Sequence, residues 1–371
     1  MKRNNIKQGF LSLAFTACTG DFERFNTDPN SAQEVDLKMF ITTMQMDAVY
    51  SCSGSDTEPN NRYQAAYNLI GEPNAYGLIP VTSDGKHGFL GADGREVLPC
   101  FFSYISDFKD GYARTNYGGS MVLRDEPYGG QWGLIDTLGH ETIPCRYYYL
   151  DTPGEGLAAF RLEQFGNYGY VDVKGNVAIS PRFSVARPFS GGVAVVSYNN
   201  VNFGLVDRNG GEVSSFRYKR IGRFNYGLAP FNTDLYGMNF QGMEPRCGYI
   251  DTEGREVIPA KWDDAAEFSE MRAAVMRFGT NAEDFYDARW GYIATNGQLV
   301  VPLKYHEAYP FSCGLARVFI KGLGYGYIDR QGNEVVPCKY QEAEDFHDFR
   351  AKVKQYDRVL TIDETGQIVE Q

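Results

Sequence analysis

The sequence predicts an all-β tandem-repeat array, and three observations support this prediction. Seven glycines are each followed 25 residues later by an alanine: Gly88 and Ala113, Gly133 and Ala158, Gly169 and Ala194, Gly204 and Ala229, Gly248 and Ala273, Gly291 and Ala316, and Gly326 and Ala351. The spacing between glycines varies from 34 to 45 residues, with Leu360 taken as a degenerate last position. A constant block alternating with a variable loop is typical of repeat architectures. The 41 Gly, 26 Tyr and 25 Phe favour short strands and tight turns.

The repeat unit contains three strand-like stretches, seen most clearly in residues 314–346. Asp329 and Gly332 mark a turn that recurs in five other units, as Asp136 and Gly139, Asp172 and Gly175, Asp207 and Gly210, Asp251 and Gly254, and Asp363 and Gly366. An Asp that hydrogen-bonds its own turn, before a Gly able to take positive φ, predicts a type I hairpin turn with a bulge. A Pro follows the next stretch and cannot donate to a ladder, so we predict that the strand ends there.

The glycine inside the strand that precedes the Asp turn leaves a slot on one face of the sheet. We predict that an aromatic side chain of the neighbouring unit fills this slot, from the recurring set Phe108, Phe189, Phe224, Phe268, Phe311 and Phe346. Blades of a β-propeller normally have four strands, and three stretches are visible here. The sequence therefore favours an open twisted β-solenoid of seven hairpin units plus a closing hairpin over residues 77–371, with a β-propeller as the alternative.

The N-terminus has a different character. Lys2, Arg3 and Lys7 precede an apolar stretch that ends at Cys18, a pattern typical of a bacterial lipoprotein signal over residues 1–18. No apolar run approaches the roughly 20 residues of a spanning helix, so lipid on Cys18 is the expected membrane anchor. An ordinary buried cysteine is the alternative. Residues 19–76 predict a short α-helical leader, with a second short helix over residues 62–69.

Two parts of the chain resemble known families. Residues 18–30, with their Asn-Thr-Asp-Pro-Asn run, and residues 61–71 resemble the start of SusD/RagB-type nutrient-binding outer-membrane lipoproteins. That resemblance implies display on the cell surface, but the chain lacks the helical body that holds glycan or peptide in that family. Residues 78–371 resemble the bacterial WG-repeat, or KWG-repeat, family: Trp132-Gly133 and Trp290-Gly291 keep its name-giving pair, and other residues replace the Trp elsewhere. This second resemblance implies a binding or interaction module that is not tied to catalysis.

Three insertions occupy the same loop of the repeat, at about residues 114–131, 230–247 and 275–290. Loops at one repeat position emerge on one side of an array, and recognition residues concentrate on such loops. The candidate binding residues are Tyr117, Met121, Tyr128, Tyr236, Phe240, Met243, Phe285 and Tyr286. Their planar rings suit contact with glycan or protein. Packing of these side chains on their own hairpins is the alternative.

Composition and motifs narrow the function. The net charge of −11 and the lack of a basic stripe argue against nucleic acid as a partner. No catalytic signature occurs, and the cysteines and histidines lack the spacing of metal ligands, so we expect no enzyme activity, cofactor or metal site. The sequence predicts a non-catalytic binding or scaffold protein of the cell envelope, lipid-anchored to the outer membrane. The alternative is a carbohydrate- or nutrient-binding lipoprotein. A glycan-cleaving enzyme using Asp263-Asp264 or Glu344-Asp345 is the least favoured hypothesis.

Overall fold

A computed structural model of the protein describes residues 67–120, 126–234, 246–279 and 287–370. All regular secondary structure in these residues is β-strand, which confirms the all-β prediction. Within the same residues, no helix long and apolar enough to cross a membrane is found. The chain divides into two compact units, with the boundary after Thr152.

The first unit contains two antiparallel sheets in the strand orders β1-β2-β3-β4 and β5-β6-β7-β8. Its strands are β1 Asn68–Leu69, β2 Ile79–Ser83, β3 Lys86–Leu90, β4 Glu96–Phe102, β5 Tyr104–Ile105, β6 Tyr112–Tyr117, β7 Gln131–Asp136, β8 Glu141–Tyr147 and β9 Tyr149–Leu150. The predicted helix over residues 62–69 is wrong for its last two residues. Asn68 and Leu69 pair with Thr82 and Val81 and complete the first sheet as its edge strand.

The second unit repeats the same meander. Its strands follow the orders β10-β11-β12, β13-β14-β15, β16-β17-β18-β19, β20-β21-β22-β23, β24-β25-β26-β27 and β28-β29-β30-β31. Their bounds are β10 Leu157–Arg161, β11 Tyr168–Asp172, β12 Val177–Phe183, β13 Val185–Ala186, β14 Val193–Ser197, β15 Phe203–Asp207, β16 Arg220–Ile221, β17 Leu228–Asn232, β18 Cys247–Asp251, β19 Glu256–Trp262, β20 Asp264–Ala265, β21 Arg272–Arg277, β22 Arg289–Ala294, β23 Leu299–Tyr305, β24 Glu307–Ser312, β25 Leu315–Ile320, β26 Gly324–Asp329, β27 Glu334–Tyr340, β28 Glu342–Ala343, β29 Arg350–Gln355, β30 Arg358–Asp363 and β31 Ile368–Glu370.

Most sheets have four strands, whereas the sequence showed three stretches per unit. The additional strand is usually only two residues long, as in β5, β16, β20 and β28. Alternation of apolar and polar residues cannot be recognised over two residues. The strand count used to favour a solenoid was therefore wrong.

The repeat glycine is required by a close approach of main chain. A Cβ atom on Gly133 would lie 2.5 Å from the carbonyl oxygen of Ile143 and 2.7 Å from the amide nitrogen of Cys145, both on the adjacent strand β8. The pairing of β7 with β8 shifts register at this point, as expected for a bulge. Pro144 lies at the bulge, inside β8 and not at its end. The predictions that a neighbouring aromatic fills the slot and that the Pro ends the strand are both wrong.

The recurring aromatic residue instead packs on the ring that follows the repeat glycine. Phe189 meets Tyr170 at 4.8 Å between ring centroids, and the same pair recurs as Tyr249 with Phe268, Tyr292 with Phe311, and Tyr327 with Phe346. The Tyr170 hydroxyl donates a hydrogen bond to the Arg187 carbonyl at 2.7 Å. A buried Tyr hydroxyl needs such a hydrogen-bond partner. In each pair the Tyr ring packs against the Phe while its hydroxyl is hydrogen-bonded.

The sheet of β13, β14 and β15 is the exception. Its segment 211–218 has no repeat Pro and forms only the isolated pairs Val206 with Glu212 and Phe203 with Tyr218. Here a Cβ on Gly204 would meet the Phe216 ring at 2.9 Å. In this sheet the three nearest atoms all belong to the Phe216 ring, because no bulged strand covers the slot, whereas Phe231 reaches Gly248 beside the main chain of a bulged strand.

Apolar cores lie between successive sheets. One core joins Tyr292, Val301 and Phe311 to Ala316 and Ile328 across the sheets of β20–β23 and β24–β27. The constant interval of 25 residues runs from the third strand of one sheet to the second strand of the next. It includes the connection that sets how the two sheets pack, so its length cannot vary without disturbing the core.

The last sheet presents a polar outer face. Along β29, Ala351 and Val353 are buried, while Arg350 and Lys352 are exposed. By contrast, every residue of β14 is buried, on both faces of its sheet. The sheet of β28–β31 therefore buries one face only, as terminal units of repeat proteins do.

Candidate functional site

Each sheet has two ends of different character. Strands alternate in direction, so the first and third turns of a four-stranded sheet lie at one end, which we call the turn end. The middle hairpin and the connection to the next sheet lie at the other, the hairpin end. The insertions at 114–131, 230–247 and 275–290 fall in the middle hairpins β6/β7, β17/β18 and β21/β22. They share one position in the repeat, as predicted.

The turn end is organised by its own main chain. The Asp329 carboxylate accepts hydrogen bonds from the amides of Gln331 and Asn333 at 2.9 and 2.8 Å. Gly332 has a φ of +88° and its added Cβ would meet Val301 of the preceding sheet at 2.9 Å. The predicted Asp turn is confirmed, and it recurs at Asp136, Asp172, Asp207, Asp251 and Asp363.

The hydrogen bonds of these turns lower the pKa values of several turn Asp carboxyls. Burial raises the pKa of the Asp329 and Asp251 carboxyls, but hydrogen bonds from the turn amides and from Asn333 or Arg255 outweigh it and hold each pKa below its usual value. Asp136 and Asp172 behave in the same way. The Thr365 hydroxyl is the main cause of the lowered pKa of Asp363. These carboxylates are committed to structure.

A second device at the turn end joins neighbouring sheets of the second unit. Glu270 accepts hydrogen bonds from the Gly314 amide at 3.1 and 3.0 Å and pairs with Arg330 at 2.9 Å. Glu155 accepts from the amides of Gly191 and Gly192 at 2.6 and 2.9 Å. The charges of this end are largely used in holding the array together.

The hairpin end of the first unit includes the two described flanks of an insertion, residues 114–120 and 126–131. The Asn116 side chain donates to the Gly129 carbonyl at 3.1 Å and accepts from the Gly119 amide at 3.0 Å. Ser120 and Tyr128 exchange two main-chain hydrogen bonds at 3.0 and 2.9 Å. These contacts continue the hairpin beyond β6 and hold its flanks in a defined conformation.

Two aromatic rings stack on the surface beside this insertion. Phe101 and Tyr117 lie 4.7 Å apart with their planes inclined by 14°. They are 51% and 46% exposed, and Tyr128 is 72% exposed. The Lys86 ammonium lies 5.9 Å from the centre of the Tyr117 ring and donates to the Ser103 hydroxyl at 3.0 Å. We call Lys86, Phe101, Tyr117 and Tyr128 the aromatic platform.

The middle hairpins of the second unit also carry exposed apolar side chains. Phe165 is the extreme case, at 93% exposure, and Tyr356 is 77% exposed. The others are Leu162, Tyr198, Val201, Leu323 and Val359. Large apolar side chains left in water on repeated loops are typical of interaction surfaces.

One group of unlike polar residues converges in the sheet of β24–β27. Glu307 accepts hydrogen bonds from the hydroxyls of Tyr309 and Tyr325 at 2.7 and 3.0 Å. The Arg317 guanidinium lies 3.7 Å from the centre of the Tyr309 ring and pairs with Asp345 at 3.0 Å. These groups contact one another across two sheets, as in a structural cluster, although Arg317 Nε and Asp345 Oδ1 form an ion pair without hydrogen-bond geometry.

In each of the carboxylate pairs considered for hydrolysis, Asp263-Asp264 and Glu344-Asp345, one carboxylate forms an ion pair with an Arg. Asp263 pairs with Arg277 at 3.1 Å and accepts the Phe278 amide at 3.0 Å. Asp345 belongs to the Arg317 cluster just described. Each pair thus has one member already held by a cation.

Of the candidate binding residues, the structure places Tyr117 and Tyr128 together at one hairpin end. Met121, Tyr236, Phe240, Met243, Phe285 and Tyr286 lie outside the described residues, as does Cys18 with the signal and most of the leader. Sequence reasoning missed Phe101 and Lys86, which lie on strands and not in insertions. A signal was present: Phe101 occupies a position where Arg146, Arg182, Arg217, Lys261, Lys304 and Lys339 stand in other sheets.

Solved structures with a similar fold were found at low identity. A eukaryotic initiation factor is 12% identical, with 82% of this chain and 87% of that chain covered and a TM-score of 0.46. BamB from Moraxella catarrhalis is 12% identical, with 82% and 90% covered and a TM-score of 0.35. The β-propeller domain of the Trilobed protease from Pyrococcus furiosus is 11% identical, with 72% and 95% covered and a TM-score of 0.36. Likeness at this level does not extend to function.

No curated protein sequence matches the chain. The family model of the WG containing repeat does match it, over seven segments: residues 88–119, 132–164, 168–201, 203–234, 248–277, 290–323 and 325–358. These segments begin after the N-terminal leader, cover more than half of the chain, and each runs from the third strand of one sheet to the second strand of the next. This chain therefore belongs to the WG-repeat family.

Proposed function

We propose that this chain is a non-catalytic binding or scaffold protein whose recognition surface is the hairpin end of its sheets. The observation that carries the proposal is the exposure of large apolar side chains in the middle hairpins, led by Phe165, Tyr356 and Tyr128. Exposure of aromatic surface to water is unfavourable. Covering that surface with a partner therefore lowers the free energy and favours binding. The turn end has its charged groups engaged in sheet-to-sheet contacts, which leaves the hairpin end as the variable surface.

The proposal includes the cell envelope as its site of action. It is supported by the basic start, the short apolar stretch and the cysteine of residues 2–18. Lipid on Cys18 would hold the array at the outer membrane, where hairpin loops could meet envelope proteins or glycans. Mass spectrometry of the mature N-terminus tests this: we expect lipid on Cys18 and its loss in Cys18→Ala. A mature chain without lipid would overturn the location.

Recognition by the hairpin end is tested with two matched variants of the full chain. One replaces Tyr128, Phe165 and Tyr356 by Ser. The control replaces Tyr226 and Phe349, which are 57% and 61% exposed at the turn end, by Gly. Both residues have positive φ, which Gly accepts without strain.

Pull-down of cross-linked envelope proteins and binding to a glycan array are the two measurements. We expect the hairpin variant to lose the partner that the wild-type chain and the turn-end control retain. Loss in the control alone would place recognition at the turn end and contradict the proposal. Capture on the glycan array alone would favour a carbohydrate-binding lipoprotein, and hydrolysis of a polysaccharide would contradict a non-catalytic role.

A further inference from the structure

The aromatic platform departs from the repeat pattern. At the position of Phe101, six other sheets carry a cation placed 5.0 to 5.4 Å from the centre of the next aromatic ring: Arg146, Arg182, Arg217, Lys261, Lys304 and Lys339. A requirement of the fold recurs with the repeat, since every sheet packs in the same way. The fold therefore does not require a Phe at this position, and half of its surface is exposed to water.

We propose that Lys86, Phe101, Tyr117 and Tyr128 form a binding site for an acidic polysaccharide. This inference rests on the proposed function and names the ligand class for one hairpin end. It depends on the stacking of Phe101 with Tyr117, on the cation beside them, and on their open position.

The platform is preorganised. Tyr117 ends β6, and the next amide, of Gly118, donates to the Ser103 hydroxyl at 3.1 Å. The same hydroxyl accepts from Lys86 at 3.0 Å, so one serine positions both the cation and the chain beside the ring. Phe101 also contacts Phe102 edge-on at 5.6 Å between ring centroids, and Phe102 is buried in the core. Rings held by a core and by a hairpin lose little entropy on binding.

The surface chemistry selects the ligand. Pyranose rings present an apolar C–H face to an aromatic plane and hydroxyls at their edges, which the Tyr117 and Tyr128 hydroxyls can bond. Lys86 is complementary to a carboxylate on the sugar. Proline-rich peptides dock in grooves lined by aromatic residues, whereas these rings stand on an open surface. Nucleic acid is disfavoured because the sequence has no stripe of Lys and Arg that could follow a phosphate backbone, whereas one Lys can pair with the carboxylate of one sugar.

The decisive variant is Phe101→Lys, because it installs a residue type that the repeat itself uses at this position. We expect it to fold like the wild-type chain, as judged by circular dichroism and thermal unfolding. Isothermal titration of the full chain would use oligogalacturonate as the acidic probe, maltooligosaccharide as the neutral probe and a proline-rich peptide as the third ligand. We expect binding of oligogalacturonate and, at a salt concentration that screens the added ammonium, a loss of at least about tenfold in affinity in Phe101→Lys.

Lys86→Gln separates charge from stacking. It should weaken oligogalacturonate binding and reduce its dependence on salt. The matched control, Phe349→Gly, removes an exposed ring at the turn end and should leave oligogalacturonate affinity unchanged. Equal affinity of Phe101→Lys and wild type, equal binding of both sugars, or binding of the peptide alone would each overturn the inference.

The two proposals fail separately. If oligogalacturonate does not bind while the hairpin variant still loses an envelope partner, the polysaccharide site is wrong and the hairpin end remains the recognition surface. If oligogalacturonate binds through Phe101 while the hairpin variant retains its protein partners, the polysaccharide site stands and recognition of proteins by the middle hairpins is overturned.

Discussion

At the scale of single residues, the repeat glycine is defined by what lies beside it. Gly326 has negative φ, yet an added Cβ would lie 2.5 Å from the Val336 carbonyl oxygen and 2.7 Å from the Cys338 amide nitrogen. Both atoms belong to the backbone of β27 and cannot rotate away. The residue is therefore fixed by space and not by its conformation.

Gly326→Ala is expected to destabilise the protein by about 3 kcal/mol, because β27 must shift to admit a methyl group. The matched control is Gly166→Ala, where the nearest atom to the added Cβ is the Glu163 carbonyl oxygen at 3.4 Å. That change should stay within about 0.5 kcal/mol. Urea unfolding followed by circular dichroism gives both values. Equal effects would show that close approach is not the reason for the glycine.

The turn aspartates predict a dependence of stability on pH. The folded-state pKa of Asp329 lies below its usual value of about 3.9, so its contribution is present above that pH and is lost as pH falls through the folded-state pKa. Asp329→Asn should therefore be less stable than wild type at pH 7 by less than about 1 kcal/mol, and equally stable in strong acid. Urea unfolding at pH 7, 4 and 2.5 measures this. A difference between the two proteins that does not shrink as pH falls from 7 to 2.5 would contradict the electrostatic explanation.

At the scale of elements, local chemistry decided what could be predicted. The turn of Asp329 and Gly332 was predictable because both signals lie within four residues. The strand Glu342–Ala343 was not, because two residues carry no periodicity. Pro is normally excluded from strands because it has no amide N–H to donate to the neighbouring strand. The register shift between β7 and β8 leaves a position at Pro144 where no N–H is needed, so the strand continues through it. Phe101 was not predicted because it lies on a strand and not in an insertion. The cations at the same repeat position in other sheets are the signal that distinguishes it.

The sheet of β13–β15 should be the least protected of the second unit. Residues 211–218 replace a full outer strand with two isolated bridges and with hydrogen bonds from the amides of Val213 and Ser214 to the Leu205 carbonyl. Hydrogen exchange followed by mass spectrometry should show at least about tenfold faster exchange in 215–217 than in the matching part of β27. Comparable protection of the two segments would mean that an outer strand contributes little to local stability.

At the scale of the whole molecule, stability comes from contacts between neighbouring sheets. Each apolar core joins one sheet to the next. A destabilising substitution should therefore weaken its own sheet and the adjacent sheets most, with a smaller effect on more distant sheets. This also explains why seven segments match one family model while the hairpins between them differ in length.

Phe346→Ala tests this organisation. Phe346 is buried against Tyr327, 4.8 Å away between ring centroids, and its loss should cost about 3 to 5 kcal/mol locally. Hydrogen exchange should accelerate in β26–β31 and remain unchanged in β13–β19. Tyr356→Ala, at an exposed ring of the same sheet, is the control and should change neither region. Uniform acceleration throughout the second unit would show that the sheets unfold together.

The polar face of β29 affects how this sheet can associate with other molecules at high protein concentration. A second molecule approaching this sheet meets the charged heads of Arg350 and Lys352 where a stacked layer would need methyl groups and rings. Moving these charged side chains out of water costs free energy that an apolar contact would have to outweigh. Stacking of a further apolar layer on this face of the sheet is thereby opposed by two side chains.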